Sequence, residues 1–440
     1  MKKIILFALA TVACVTSAFS QVIPDYVRGS IYSIRLDAPS SSKQDFSKEI
    51  AIMTSVFDTL DYKNQYKKYN AFQAGERLMK STDLPEASEE EAMAIATKNG
   101  NKKVKEDDLY AARVLKYLNG KNVGRALVAK WFSKPESEDY TKLVPDDQFT
   151  TIMKFGLMSL SEDEKLQNKD AEKLNTNAAK EMVDPQLNST YVLVTRYDFA
   201  TPAEQVQDAV NEKLAPLYAK LEKVPAMIKS TIQSTIDSEM QSTKELLEST
   251  IKLNAVSAKS YLFKLKWNGL VDFFSKYWKD PDSFTGAEEY ELEYVTTTKG
   301  TNPLVTEVAG NKLNVNKVVA SKSLKVLNKN VNRLAQQYEP FAPVERLYTN
   351  DQGQLYVKLG TQDGVDEKTK FTALKKTADM VLAPGGTLSV AKNGLWNNST
   401  DEEDIEANAK AASEGNADLQ YTLLNGKAKG CSYVRFGVKK

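Results

Sequence analysis

Two runs of sequence decide the architecture: Tyr191-Val192-Leu193-Val194-Thr195-Arg196-Tyr197-Asp198-Phe199 and Tyr261-Leu262-Phe263-Lys264-Leu265-Lys266-Trp267. The first is rich in β-branched and aromatic residues and then alternates; the second alternates as a half-buried strand does. Between them the texture changes. Thr201-Pro202 opens a helical segment, with Pro202 in the first turn, Thr201 as its cap and Glu204 three residues on. Val206, Val210, Leu214, Leu217, Leu221, Val224, Ile228, Ile232 and Ile236 follow in steps of three and four, one apolar stripe down a helix. Ser230, Ser234, Ser238 and Ser242 mark the polar face, and Pro216 and Pro225 predict two or three helical pieces. The pattern is a helical insertion between two pairable strands.

Working toward the N-terminus, residues 171–183 predict a helix stopped by Asp184-Pro185, and 149–160 a strand or a short helix. Leu109, Ala112, Leu115 and Leu118, then Val123, Leu127, Val128 and Trp131, predict two amphipathic helices broken at Asn119-Gly120. Ser88-x-x-Glu91 offers a capping box to a short acidic helix over 85–97, residues 48–60 have helical spacing, and 26–36 predict a strand or an extended arm.

Toward the C-terminus, 273–277 predict a short helix, 289–298 a strand and 315–338 an amphipathic helix. Past Pro340 and Pro343 the texture becomes mostly β. Asn350-Asp351-Gln352-Gly353, Gly385-Gly386, Asn393-Gly394 and Asn425-Gly426 predict turns between five or six short strands. A helix over 400–413 is expected among them, and Cys431 is expected buried in the last strand. The fold class is α+β: an α/β core with a long helical insertion, then a small barrel or sandwich. The divisions expected are a leader at 1–20, a helical and α/β region at 21–200, the insertion at 201–256, the rest of the core with a linking helix at 257–340, and a β-domain at 341–440.

The leader has Lys2 and Lys3, an apolar run at 4–10, and Ala18 and Ser20 placed for cleavage between Ser20 and Gln21. That is the pattern of a secretory signal peptide. Cys14 offers a rival, a lipid-modified cysteine, but Thr11-Val12-Ala13 fits that chemistry less well. If Cys14 leaves with the leader, Cys431 stands alone and no intramolecular disulfide forms.

The 440 residues include 59 Lys+Arg, 58 Asp+Glu and no histidine. Removing Lys2 and Lys3 with the leader leaves 57 bases against 58 acids, a net charge of −1. Such balance gives no reason to expect nucleic acid as a partner. Without histidine, Ser-His-Asp and Cys-His pairs, HExxH zinc sites and histidine pH switches are excluded. Ser-x-x-Lys occurs at Ser40/Lys43, Ser249/Lys252 and Ser389/Lys392 without companion motifs. Asp401-Glu402-Glu403-Asp404 lacks the ligand alternation of a calcium loop, and Lys63, Lys67 and Lys68 among Tyr62, Tyr66 and Tyr69 read as a solvated helix face. No nucleotide-cradling glycine motif occurs. No catalytic, cofactor-binding or metal-binding residue is therefore assigned, and no cofactor.

The leader ending Ser20/Gln21, the segment Gly124-Arg125-Ala126-Leu127-Val128-Ala129-Lys130-Trp131-Phe132 and the run Tyr191-Val192-Leu193-Val194 together resemble uncharacterised exported proteins of Bacteroidota. Leu359-Gly360-Thr361-Gln362-Asp363-Gly364-Val365, Lys370-Phe371 and Leu395-Trp396-Asn397-Asn398 look like their C-terminal β-module. The resemblance implies an envelope location and brings no activity. Asp58-Thr59-Leu60 is similar to the O-glycosylation triplet of that group, with Thr59 as acceptor. The helix and strand order before Tyr191 is loosely similar, at the level of fold, to curli-type secretion accessory proteins. The expected function is a non-enzymatic binding or assembly factor, exported and periplasmic or outer-membrane-associated. Its expected contacts are an envelope protein or a second copy, through 203–253 or the C-terminal β-domain, with peripheral membrane association and no transmembrane segment. The alternative is a histidine-free carbohydrate-active or cell-wall enzyme using paired carboxylates.

Overall fold

A computed structural model describes residues 29–37, 42–60, 70–72, 78–157, 176–221, 226–250, 253–305, 307–308, 311–312, 314–338, 341–342, 344–377, 382–398 and 420–436. Its first strand, β1 (Ser30–Asp37), buries Ile31 on one face and Tyr32, Ile34 and Leu36 on the other. Helix α1 (Ser47–Asp58) follows, then β2 (Asn70–Phe72) and β3 (Leu78–Lys80), which pair in parallel with the two ends of β1. Five helices come next: α2 (Glu89–Lys98), α3 (Glu106–Gly120), α4 (Val123–Phe132), α5 (Thr150–Leu157) and α6 (Thr176–Asn188). Then β4 (Thr190–Ala200) pairs in parallel with β1 and antiparallel with β5 (Ala255–Leu265), and β5 pairs antiparallel with β6 (Leu292–Pro303) at the sheet edge.

Both faces of this mixed sheet are covered. Along β4, Tyr191, Leu193, Tyr197 and Phe199 enter one core, while Val192 and Val194 enter the other. That alternation follows from the period of two, and double burial explains why the run reads apolar on both faces. One core is closed by α2–α6, the other by α1 and a long helix near the end of the domain.

Between β4 and β5 the chain leaves the sheet as α7 (Pro202–Leu221) and α8 (Ala226–Thr250). Ala200 pairs with Ala255, so the insertion replaces the turn of an antiparallel hairpin. At about 1.5 Å per residue the two helices span roughly 30 and 37 Å. Pro216 lies within α7, and the break falls before Ala226. After β5 come α9 (Leu270–Phe273), a π-helical turn (Phe274–Trp278), β6, the short pair β7 (Glu307–Val308) and β8 (Asn311–Lys312), and α10 (Val315–Gln337). Asn314 caps α10 by accepting the N–H groups of Asn316 and Lys317.

The C-terminal region is a nearly closed antiparallel barrel of β9 (Val344–Arg346), β10 (Tyr348–Thr349), β11 (Leu355–Val357), β12 (Lys370–Lys376), β13 (Leu382–Val390), β14 (Thr422–Gly426) and β15 (Tyr433–Phe436). β9 and β10 are halves of one bent run at opposite ends of the strand order, and the Leu347 N–H joins them to the Ser432 carbonyl. Its core includes Leu359, Phe371, Leu388, Val434 and Phe436. The barrel meets α10 where Asn332 donates to the Gln362 carbonyl (3.0 Å) and Gln336 to that of Gly364 (3.3 Å). Gly364 has φ +83°, and a Cβ there would come within 2.8 Å of Asn332 Cβ, so this junction requires glycine twice over.

Several expectations change. Pro185 does not stop its helix: α6 runs on to Asn188, burying Leu187 and Gln186, whose amide donates to the Ile152 carbonyl at 2.9 Å. Tertiary packing there outweighs the bond proline cannot donate. Of residues 149–160, Thr150–Leu157 form helix α5, and the break after α3 comes at Asn122, in the left-handed region at φ 54°. Gly385-Gly386 is no turn but part of β13. A Cβ would meet Cys431 Sγ at 2.4 Å or the Lys427 carbonyl oxygen at 2.4 Å, so the glycines admit a close crossing. Asn425-Gly426 likewise ends β14 within the ladder. Cys431 is partly exposed and lies before β15 rather than buried within it. Cys14, Ser20, Gln21, the lysine and tyrosine run at 62–69 and the helix over 400–413 fall outside the described residues.

Candidate functional site

The helical arm starts from a fixed base. Thr201 and Glu204 form the cap read from the sequence, since the Glu204 carboxylate accepts the Thr201 N–H (2.8 Å) and hydroxyl (2.9 Å). The same carboxylate also accepts the Ser42 hydroxyl (2.7 Å) and the Lys43 N–H (2.8 Å), tying the arm to the loop before α1. Gln205 adds a bond to the Leu253 carbonyl at 2.8 Å. Beyond the base, Val206, Val210, Leu221 and Ile236 form a small core of their own, with Ile232, Met240 and Leu247 against it. Of the stripe read from the sequence, Val206, Val210, Leu221, Ile232 and Ile236 are thus turned inward between α7 and α8. The described outer face carries polar pairs at i, i+4 such as Gln207–Asn211, Gln233–Asp237 and Gln241–Glu245, with Leu246 65% exposed.

Burial pushes the Glu204 carboxyl up, but the hydrogen bonds from Thr201, Lys43 and Ser42 pull it further down, to about 2. A folded-state value below the ordinary 4.5 means its stabilising contribution is present above about pH 4.5 and is lost as pH falls through about 2. A carbon-13 titration of Glu204 is expected to show a midpoint near 2, rising in Ser42→Ala. An ordinary carboxylate midpoint would remove the clamp.

A second feature is a groove of about 830 Å³ beside the β6 edge, between α2, the end of α3 and residues 288–294. Ile95 and Leu115 line it together with Tyr290 and Tyr294. Its charged rim is paired: Lys116 with Glu91 at 3.1 Å, Lys266 with Glu291 at 2.9 Å, Lys98 with Glu293 at 4.0 Å. Asn119 turns its side-chain amide to the edge strand, donating to the Leu292 carbonyl (3.2 Å) and accepting the Leu292 N–H (2.8 Å). Lys98 Nζ donates to the Tyr294 carbonyl at 2.9 Å. The sequence marked Asn119 only as a helix break; its reach to residue 292 depends on long-range packing.

Carboxylates and tyrosines thus share this groove. Glu91 is held below the ordinary range by the Ser88 N–H and by Lys116. Every displaced carboxyl among the described residues moves the same way, whereas a general acid at neutral pH needs the reverse. Among the described residues no group of three or more Cys, Asp and Glu side chains is placed to hold a metal ion, and no helix is long and apolar enough to cross a membrane. Thr59 is exposed at the end of α1, its hydroxyl donating to the Ser55 and Val56 carbonyls. It lies apart from the groove and the arm in the sequence, and among the described residues its hydroxyl bonds are to α1 itself.

No protein-family model matches the chain, and no curated protein matches it.

Proposed function

We propose that the chain is a non-enzymatic binding or assembly factor of the cell envelope, exported by its leader, and that the α7–α8 arm is the element it offers to a partner. The observation that carries this reading is the arm itself. It departs from between two adjacent strands, is clamped at its base through Glu204, and packs Val206, Val210, Leu221 and Ile236 into a core of its own two helices. A folding core has no need of a 20-residue and a 25-residue helix that pack chiefly on each other. A projecting, pre-oriented surface does, because rigidity lowers the entropy lost on binding.

Crosslinking the protein in its native envelope, with mass spectrometry of what it captures, tests this. Reproducible links from 203–253 to one envelope protein are the expected result. Absence of protein links, with soluble glycans protecting the fold from heat, would replace this reading with the carbohydrate-active alternative.

A further inference from the structure

We propose that the short helical segment from Trp267 to Trp278 is a lipid-contacting tip, which rests the protein on a membrane surface by inserting Val271 and its apolar neighbours at the boundary between headgroups and acyl chains. The inference goes beyond the arm as a docking element and shares with it only the reading of the chain as an envelope protein.

The run Trp267-Asn268-Gly269-Leu270-Val271-Asp272-Phe273-Phe274-Ser275-Lys276-Tyr277-Trp278 is apolar in more directions than one core can use. Phe273 and Tyr277 are buried. Trp267, Leu270, Phe274 and Trp278 are only partly buried against the same core. Val271 belongs to none of the hydrophobic clusters among the described residues and is 85% exposed, more than any other large apolar side chain among them. Leu270, Val271, Phe274 and Trp278 recur in steps of one, three and four, so they form a second apolar face that looks outward. The base behind this face is firm. Trp278 stacks on Phe149 with ring centroids 5.5 Å apart and lies 4.5 Å from the Phe274 ring, while Phe273 stacks on Phe132. The Asp184 carboxylate accepts the Trp267 indole N–H (2.6 Å) and the Leu270 N–H (2.9 Å), fixing the turn through Asn268 and Gly269. A tip held in this way loses little entropy when it inserts.

The occupant follows from the size, the rim and the charge of the face. Five side chains, four of them partly buried, fall well short of the roughly 800 Å² that each partner gives to a stable protein interface. A bilayer asks for less. It takes a projecting apolar residue with indoles beside it, since tryptophan is favoured where one end of the ring is apolar and the other wet. Around the indoles the rim is polar, with Asn268, Ser275, Lys279 and Asp280 exposed. Its other lysines are neutralised locally: Lys266 by Glu291 at 2.9 Å, and Lys276 by Asp272 at 3.0 Å and Glu289 at 3.2 Å. The tip therefore offers no cationic patch, and contact comes from apolar insertion into lipid of either headgroup charge.

The probe is a pair of vesicle preparations, one of phosphatidylcholine alone and one enriched in phosphatidylglycerol, mixed with the full chain and floated through a density gradient. The chain is expected to float with both, with little change when salt is raised. Val271→Asp is expected to weaken binding about tenfold, and to leave the melting midpoint unmoved because the side chain joins no core. Val271→Trp should strengthen it. Lipids brominated near the headgroup end of their chains should quench tryptophan emission in the unaltered chain and not in Val271→Asp. If the chain floats with neither vesicle, if Val271→Asp floats as well as the unaltered chain, or if flotation needs phosphatidylglycerol and vanishes in salt, the proposal fails. A concentration-dependent dimer abolished by Val271→Asp would assign the face to a second copy and overturn the proposal equally. Failure here with arm crosslinks intact removes the lipid tip alone; flotation without arm crosslinks keeps the tip and removes the arm.

Discussion

Phe132→Ala is expected to destabilise the sheet domain by about 3–5 kcal/mol, the usual cost of truncating a fully buried aromatic. Phe132 has no exposed surface, and its ring stacks on Phe273 with centroids 4.1 Å apart. Trp267 and Trp278 follow at 5.7 and 6.2 Å and Phe149 at 6.4 Å, so one ring joins α4, the α5 entry and the π-helical turn. Its removal leaves a void between elements far apart in sequence, which cannot collapse together without moving backbone. Against a typical stability of roughly 5–15 kcal/mol this is a large fraction. Denaturant unfolding followed by tryptophan fluorescence should show a lower midpoint, with near-UV dichroism weakened before unfolding begins. A loss below about 1 kcal/mol would mean the cluster is looser than its ring geometry, and that the sheet domain is held by the opposite core.

The cluster illustrates how far the sequence could be read. Trp131 was legible as part of the apolar face of an amphipathic helix, because helical spacing is local. That Trp267, Phe273 and Trp278 converge on its neighbour Phe132 was not, since the contacts span more than a hundred residues. The same division holds elsewhere. The β4 and β5 runs and the helices between them were legible from periodicity, and the capping box at Ser88 and Glu91 forms as its spacing implied. Pro185 was misread because its cost is local while the burial of Leu187 that offsets it is tertiary. Gly385-Gly386 was misread for a related reason. Two glycines favour a turn, but they also admit Cys431 and Lys427 against a strand, and only the barrel reveals which use applies. Of the candidate sites, the Glu204 cap was legible and its bonds to Ser42 and Lys43 were not. The Asn119 contact with Leu292 leaves no trace in spacing, because a side-chain amide that completes a strand edge resembles any helix-terminal asparagine.

Excising the arm is expected to abolish partner capture while leaving the remaining fold standing. Ala200 and Ala255 are already an antiparallel pair, so replacing residues 201–254 by Asn-Gly creates a two-residue hairpin whose twist suits the strands it joins. The sheet loses the arm's bonds to Ser42 and Lys43 and the Asn254 carbonyl that accepts from Leu304, but neither of its two main cores. The apolar burial that disappears is that of Val206, Val210, Leu221 and Ile236, which stabilises chiefly the arm itself. A melting midpoint within about 5 °C of the intact chain is therefore expected, a difference of roughly 1–2 kcal/mol for a domain of this size. If capture of the envelope partner survives the excision at full yield, contact belongs elsewhere, the barrel being the other region expected to make it, and the arm loses its assigned role. If the shortened chain does not fold, the clamp at Glu204 is part of how β4 and β5 find each other. Retained folding with lost capture separates a docking arm from a folding element, because only a docking arm can be removed without disturbing the strands from which it grows.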